Sequence, residues 1–257
     1  MRVRGLAKRL IYGPMGRFRY YGSWIHFPRN SVAFRMVFED GIYEPDIVRC
    51  VQTFTRPNTH FLDVGANIGL MSAVALYAQP TATVVSFEPS PNSVPCLRQT
   101  VSGHKNWKLV EKALGDKAGN LDFTVGAESV FDGFKRTADR PGQRKVSVAV
   151  STLDFEWVSL GSPEVSLVKI DVEGAEAMVL AGGDRLLRSR RPVLVVEWFS
   201  DYVIQYGTDP MWLLGFADRY GYLVYSIPRY VPIRRREDLR AQMVCVTNFL
   251  LLPEGDA

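Results

Sequence analysis

The chain has 257 residues, 47% of them hydrophobic and 12% aromatic, which is enough for a substantial core within a single α/β domain. No run of about 18 apolar residues occurs, which excludes a membrane-spanning helix, and the basic start lacks the apolar segment and cleavage site of a secretory signal. The formal net charge of +4 is unevenly spread: Arg2, Arg4, Lys8, Arg9, Arg17, Arg19, Arg29 and Arg35 all precede the first acid, Glu39.

Residues 1–40 therefore read as a basic extension, interleaved with Tyr12, Phe18, Tyr20, Tyr21, Trp24 and Phe27, ahead of a body over 41–257. Such a segment is either a solvated arm with a few aromatics tucked onto the body, or a device that meets an anionic membrane surface or a phosphate-bearing substrate. Cys50, Cys96 and Cys245 are odd in number and scattered through apolar stretches, without the spacing of a metal site or a disulfide framework. A reducing cytoplasm is the expected location, with peripheral contact to the inner face of a membrane through the extension.

Beyond the extension the chain alternates in a βα rhythm. Pro45 to Arg56 predicts a helix, with proline tolerated in its first turn and Ile47, Val48, Val51 and Phe54 on one apolar face. Residues 60–64 predict the first strand, 68–79 a helix stopped before Pro80, and 83–87 the second strand. Ser90 is placed to cap the next helix, with Pro91 at its first position and Gly103 at its end. Trp107 to Leu114 predicts a third strand; Leu121 to Val125 and Lys145 to Val150 predict an appended antiparallel excursion. Between them, Lys135, Arg136, Arg140, Arg144 and Lys145 form a second basic cluster in a Gly- and Pro-containing surface loop.

Val165 to Ile170 and Pro192 to Val196 supply the fourth and fifth strands. Asp209 to Arg219 is a helix, Tyr222 to Ile227 the sixth strand, and Met243 to Leu252 closes the sheet as the seventh. The expectation is an α/β fold: a doubly wound, mostly parallel seven-stranded sheet that binds ligands at the carboxyl ends of its strands. No recognised nucleic-acid module appears, so nucleic acid is not expected as a partner.

Two loci carry chemistry. The first is Asp63-Val64-Gly65-Ala66-Asn67-Ile68-Gly69, where a strand hands over to a helix through a glycine turn that lets backbone approach a ligand. Asn67 and Leu70 stand where the pyrophosphate-binding G-x-G-x-x-G pattern needs glycines. Glu88, followed by Pro89, ends the second strand with a carboxylate suited to both hydroxyls of a ribose. An acidic turn plus that carboxylate suits a cationic adenosyl ligand without phosphates, S-adenosylmethionine.

The second locus is Val168-Lys169-Ile170-Asp171-Val172-Glu173-Gly174-Ala175-Glu176. Lys169 alone interrupts an apolar strand, and a buried ammonium needs a carboxylate; Asp171 shares its face two residues on. The alternative, acids favoured at a helix N-terminus, accounts for Glu173 and Glu176 but not for the Lys169–Asp171 pair. On the next strand, Glu197 and Trp198 either present a carboxylate and an aromatic platform to an acceptor or form a hydrogen-bonded strand end.

Asp63 to Gly69, Phe87-Glu88-Pro89, Ala113-Leu114-Gly115-Asp116, Ser151-Thr152-Leu153-Asp154 and Lys169 to Glu176 occur in this order, and together they resemble the FkbM family of S-adenosylmethionine-dependent methyltransferases. Gly41 to Pro45 and Asn248-Phe249-Leu250 are similar to that family as well, so the resemblance covers about residues 40–252. It implies a Rossmann-like class I methyltransferase catalytic domain that methylates oxygen, on hydroxyls of sugars, glycans, glycolipids or secondary metabolites. It further implies that Gly65, Ala66, Asn67 and Gly69 cradle the cofactor, that Asp63 supports the turn or contacts its amino group, and that Glu88 accepts the ribose hydroxyls. Ala113 and Leu114 would border the adenine and Glu44 would lie near the methionine moiety. Asp171 becomes the candidate general base or acceptor-orienting residue, with Glu173 and Glu197 next.

An alcohol is a poor nucleophile, so a positioned base contributes roughly 10²–10⁴-fold. His26, His60 and His104 are poorly placed for that role, which leaves the carboxylates; no spacing demands a metal. Two other classes share part of the pattern: a nicotinamide-dependent oxidoreductase, opposed by Asn67 and Leu70, and a non-catalytic membrane-surface module, opposed by the intact Asp63, Glu88 and Asp171.

Overall fold

The computed structural model describes residues 15–29, 31–125 and 144–255. The described residues begin with a hairpin of β1 (Met15–Tyr20) and β2 (Ser23–Pro28) and a helix α1 (Val32–Asp40). Its turn holds Tyr21 and Gly22 both at positive φ, +43° and +76°, the geometry whose twist matches that of the flanking strands. Next come α2 (Pro45–Phe54), β3 (His60–Val64), α3 (Leu70–Ala78), β4 (Thr83–Phe87), α4 (Val94–Val101) and β5 (Trp107–Val110). β6 (Ala113–Leu114), β7 (Gly119–Val125) and β8 (Arg144–Ser151) form a separate three-stranded sheet. β9 (Val165–Ile170), β10 (Val193–Glu197), β11 (Tyr222–Ser226), β12 (Val231–Ile233) and β13 (Asn248–Pro253) complete the main sheet, with helices between them.

The main sheet runs β12-β11-β13-β10-β9-β3-β4-β5. β10, β9, β3, β4 and β5 are mutually parallel; β13 is antiparallel to both β10 and β11. Alternate side chains feed opposite layers. Leu62, Val85, Val168 and Leu194 pack into one apolar cluster, whereas Phe61, Val84, Leu167 and Val195 pack into another. A parallel sheet covered on both faces requires this, and it accounts for the nearly unbroken apolar runs of its strands.

Two expectations are corrected. The sheet has eight strands: Val231–Ile233 adds an antiparallel edge beside β11, too short and Pro-containing to announce itself. The expected strand Trp107–Leu114 breaks at two polar residues, Glu111 and Lys112. Arg98 grips Glu111 through two hydrogen bonds of 2.9 and 2.7 Å, and Lys112 reaches Glu156 at 2.8 Å, which draws the chain out of the main sheet. Ala113–Leu114 then pairs in parallel with β8. Boundaries shift elsewhere. The helix after β4 starts at Val94 rather than beside Ser90, whose hydroxyl accepts the Asn92 N–H, and Met243 ends a helix (Arg236–Met243) ahead of β13.

The described part of the basic extension packs on the body. Tyr20, Ile25, Phe27, Ala33 and Phe34 are buried in one cluster with Ile47, Val48, Ile68 and Met71. Phe27 and Phe34 stack with centroids 3.7 Å apart. Residues 15–40 thus share a core with the sheet. Arg2, Arg4, Lys8, Arg9, Tyr12, Lys135, Arg136 and Arg140 lie outside the described residues.

Candidate active site

The carboxyl ends of β4, β3, β9 and β10 open onto a cleft of about 990 Å³, counting its solvent-open mouth. Of the residues singled out from the sequence, Glu44, Asp63, Gly65, Ala66, Asn67, Glu88, Pro89, Ala113, Leu114, Lys169, Asp171, Glu173 and Glu197 all line it. Gly69 does not. Tyr43, Lys112, Phe123 and Ala33 also line it and were not anticipated. For Tyr43 the signal was its place inside the Gly41–Pro45 motif; the others have none, since tertiary packing brings them there.

The turn after β3 is held against neighbouring chain. Gly65 (φ +79°) and Ala66 both donate backbone N–H to the Phe87 carbonyl, at 3.0 and 3.1 Å. A Cβ on Gly65 would overlap the carbonyl oxygen of Asp171, and one on Gly69 (φ +88°) would strike the Trp107 indole and Leu97. Both positions need glycine because neighbouring chain comes so close.

Glu88 is buried and bridges two loops. Its Oε2 accepts the Asn67 N–H at 2.7 Å and its Oε1 the Ser90 N–H at 2.8 Å. Asn67, at φ +51°, accepts the Ser93 hydroxyl through its Oδ1 at 3.2 Å. Asparagine is among the few residues other than glycine that tolerate this conformation.

Beneath the cleft lies a buried polar chain. The Lys169 ammonium stands 3.0 Å from Asp171 Oδ2 and 3.8 Å from Asp63 Oδ1, and donates to the Gly65 carbonyl at 3.2 Å. Burial alone would lower its pKa, but Asp171, Asp63 and Glu44 together hold it above the ordinary lysine value. Asp63 is fully buried; its Oδ2 accepts the Ser72 hydroxyl at 2.6 Å, Ser72 and Ser86 hydroxyls bond at 2.8 Å, and the Trp107 indole N–H donates to Ser86 at 2.8 Å. Burial raises the Asp63 pKa against the pull of Lys169 and Ser72.

Glu176 opens the helix Glu176–Ala181, as an acid at a helix N-terminus should, and does more. Its Oε1 accepts the N–H of Val172 and of Gly174, both at 3.0 Å, clasping a loop in which Glu173 sits at φ +58°. Burial pushes its carboxyl up to about 7.

At the end of the cleft nearest β10, four carboxyl groups converge. Burial, then Asp171, raises Glu44 to about 7. Burial, then Asp171 and Glu173, holds Glu197 well above the carboxylate range, and its side chain hydrogen-bonds with Asp171. The Tyr43 phenol is raised by burial and then by Glu44, Asp171, Glu197 and Glu173. Negative charge here exceeds what Lys169 compensates, and a ligand bearing a sulfonium and an ammonium fits that imbalance.

Trp198 does not offer a platform. It is fully buried, parallel to Trp212 at 5.9 Å, and its indole N–H donates to the Pro210 carbonyl at 2.9 Å. His26, His60 and His104 line no part of the cleft. Among the described residues, no group of three or more His, Cys, Asp or Glu is arranged to hold a metal ion, and no helix is long and apolar enough to cross a membrane.

The family model described as the methyltransferase FkbM domain matches residues 63–224. The chain is 27% identical over 226 residues to the 2-O-methyltransferase NoeI of Sinorhizobium fredii, covering 81% of this chain and 86% of that protein. It is 29% identical over 156 residues to the 31-O-demethyl-FK506 methyltransferase FkbM of Streptomyces tacrolimicus, covering 49% of this chain and 60% of that one. The crystal structure of methyltransferase FkbM from Methylobacillus flagellatus KT superposes with a TM-score of 0.49 at 13% identity, over 79% of this chain and 50% of that chain, so this chain spans about half the length of that solved structure.

Proposed function

The chain belongs to the FkbM methyltransferase family and is an S-adenosylmethionine-dependent O-methyltransferase of Rossmann-like class I architecture; from that premise we propose that its acceptor is a hydroxyl of a sugar, glycolipid or secondary metabolite. The observation that carries this reading is Asp171, at the end of β9, 24% exposed at the cleft and aligned by Lys169 at 3.0 Å.

In this proposal Glu88 accepts the ribose hydroxyls while its bonds to Asn67 and Ser90 hold both loops in place; each carboxylate oxygen can accept more than one hydrogen bond. Ala113, Leu114 and Phe123 wall the adenine, and Glu44 faces the methionine ammonium. The sulfonium supplies an already activated methyl group. Asp171 orients the acceptor hydroxyl and receives its proton as the new C–O bond forms and the C–S bond breaks to a neutral sulfide. In-line positioning lowers the barrier by up to about 7–11 kcal/mol, and proton removal adds roughly 10²–10⁴-fold. Glu197, protonated, donates to Asp171 and keeps a second negative charge away from it.

The test is transfer of a deuterated methyl group from S-adenosylmethionine to a panel of neutral glycosides, glycolipids and polyketide alcohols, with the product located by mass spectrometry. Transfer to nitrogen or carbon instead of a hydroxyl oxygen would remove the reading.

We further place the enzyme in the reducing cytoplasm, at the inner face of a membrane. Supporting this are the free thiols and the outer face of the hairpin, where the Arg17 and Arg19 guanidinium groups lie 4.8 and 5.2 Å from the centroid of a Trp24 ring that is 46% exposed. Co-sedimentation with anionic vesicles should exceed that with neutral ones and fade with salt, as the Debye length falls from about 10 Å at 0.1 M to about 3 Å at 1 M. Equal partitioning into both vesicle types would count against the docking role.

A further inference from the structure

The side chains along the ligand-binding edge change in character from one side of the sheet to the other. Glu88 follows β4, Gly65 follows β3, Asp171 follows β9 and Glu197 ends β10. The next strand, β13, is antiparallel, so its first residue, Asn248, stands directly beside Glu197 at this same edge. Ile227, which follows β11, is tied there too: its N–H donates to the Asn248 carbonyl at 2.9 Å. A second pocket opens at this place, about 570 Å³ counting its open mouth, with Glu44, Asp46, Ile227, Pro228, Cys245 and Asn248 in its lining. Glu44 is a wall of both this pocket and the cofactor cleft.

We propose that this second pocket is the acceptor subsite and that it takes an uncharged, polyhydroxylated ring, whose reacting hydroxyl passes Glu44 to reach Asp171. The inference rests on the O-methylation reading and goes beyond it by fixing where the acceptor sits and what charge it carries. Position is the first argument. With the ribose end of the cofactor at Glu88 and its methyl end near Asp171, the acceptor must approach from the β10 side, and the pocket at β13 is the space next in line. Chemistry is the second. The Glu44 and Asp46 carboxyls and the Asn248 amide can exchange hydrogen bonds with hydroxyls, while Ile227 and Pro228 present apolar surface to the C–H face of a ring.

Charge is the third argument. Among the described residues no lysine or arginine lines the pocket, and Arg49 lies 3.9 Å from Asp46 as its ion-pair partner. A phosphate or carboxylate on the ring would meet the Glu44 and Asp46 carboxyls, with no lysine or arginine in the described lining to receive it and Arg49 already paired with Asp46. Any anionic portion of the acceptor therefore lies away from the ring that is methylated.

Cys245 makes the pocket measurable, because it is exposed whereas Cys50 and Cys96 are buried. Its alkylation by iodoacetamide is followed in the full-length protein with methyl glycosides of neutral hexoses and 6-deoxyhexoses, and with hexuronates and hexose phosphates at equal concentration. Protection by a neutral glycoside and none by its anionic counterpart is the expected result. No protection by any neutral glycoside, or equal protection by the anions, overturns the proposal. As a second measurement, Cys245→Trp should raise the acceptor KM at least about tenfold and leave S-adenosylmethionine binding unchanged, whereas Val244→Trp, at a neighbouring position that is 85% exposed and does not line this pocket, should change neither. An unchanged KM in Cys245→Trp also overturns it. Protection without methyl transfer would retain the pocket and remove the O-methylation reading; transfer without protection would do the reverse.

Discussion

Gly65 and Asp171 meet where β3 and β9 end, so closely that the Asp171 carbonyl occupies the space a Gly65 side chain would need. The Asp171 N–H donates to the neighbouring Val64 carbonyl at 3.1 Å, so the turn after β3 and the loop bearing the candidate base are tied together. Moving either displaces the other.

Gly65→Ala should therefore be among the most damaging small substitutions in the chain. Left-handed backbone costs a non-glycine residue about 1–2 kcal/mol, and overpacking adds about 1–3 kcal/mol. Urea unfolding should show the combined loss, and calorimetry should show no cofactor binding. Wild-type stability in this variant would mean that the two loops are not rigidly joined.

Lys169→Met roughly preserves volume but leaves the buried Asp63 and the cleft-lining Asp171 without their shared cation, a disruption of up to about 3–5 kcal/mol. The double variant Lys169→Met/Asp171→Asn should recover part of that loss, since one uncompensated charge is gone. If the single variant unfolds at the wild-type urea midpoint, the ammonium is not the element that neutralises this site.

Glu176 gives a pH signature. Its folded-state pKa, about 7, lies above its ordinary value of 4.5, so the native state binds the proton more tightly than the unfolded chain does. Its contribution is fully present below about pH 4.5 and is lost as pH rises through 7, up to about 3 kcal/mol across the window. Glu176→Gln keeps an oxygen for the Val172 and Gly174 N–H groups and cannot titrate. The stability difference between wild type and variant should change across that window; parallel pH curves would refute the assignment.

Glu88→Ala should weaken S-adenosylmethionine and S-adenosylhomocysteine alike, by about 1.5–3 kcal/mol for hydrogen bonds to a charged acceptor. It should also loosen the loops at Asn67 and Ser90, visible as faster amide exchange there. Unchanged affinity for both ligands would take Glu88 out of the ribose site.

Binding of the cationic cofactor should release protons near neutral pH. Glu44, raised to about 7 by burial and by Asp171, is partly protonated there, and an incoming ammonium and sulfonium favour its ionised form. Affinity should then rise with pH through 7, and binding enthalpies should differ between Tris and phosphate in the sense of proton release. Glu44→Gln should abolish the buffer dependence. Buffer-independent enthalpies in the wild type would exclude the coupling.

The pairing strands of the sheet were legible because each has a strict physical signature. His60–Val64 and Thr83–Phe87 are short apolar runs ending at an acid or a glycine turn, and both fall where they were expected. Lys169 was informative for the same reason: a lone charge in an apolar strand demands a partner, and Asp171 is that partner. The hairpin was hidden by its charge. Arg17 and Arg19 alternate with Phe18 and Tyr20, a two-residue period that marks one buried and one exposed face, but the arginines drew attention to the exposed one. Trp198 misled in the opposite way, since a tryptophan beside a candidate acid suggests a sugar platform until its neighbours, Trp212 and Pro210, are known. Burial depends on tertiary partners, which no local pattern records.

β13 lies between β10 and β11, so it is the seam joining the parallel half of the sheet to its antiparallel rim. Strand β10 cannot gain its second neighbour until residues about fifty positions downstream arrive, and Glu197 and Asn248 come into line only then. Assembly of the methyl-transfer edge is accordingly a non-local and slow event, and until it is complete β10 and β11 each present an apolar edge open to pairing with other chains. Substitutions that weaken β13 should therefore appear first as aggregation during synthesis, before any loss of catalysis in the molecules that do fold.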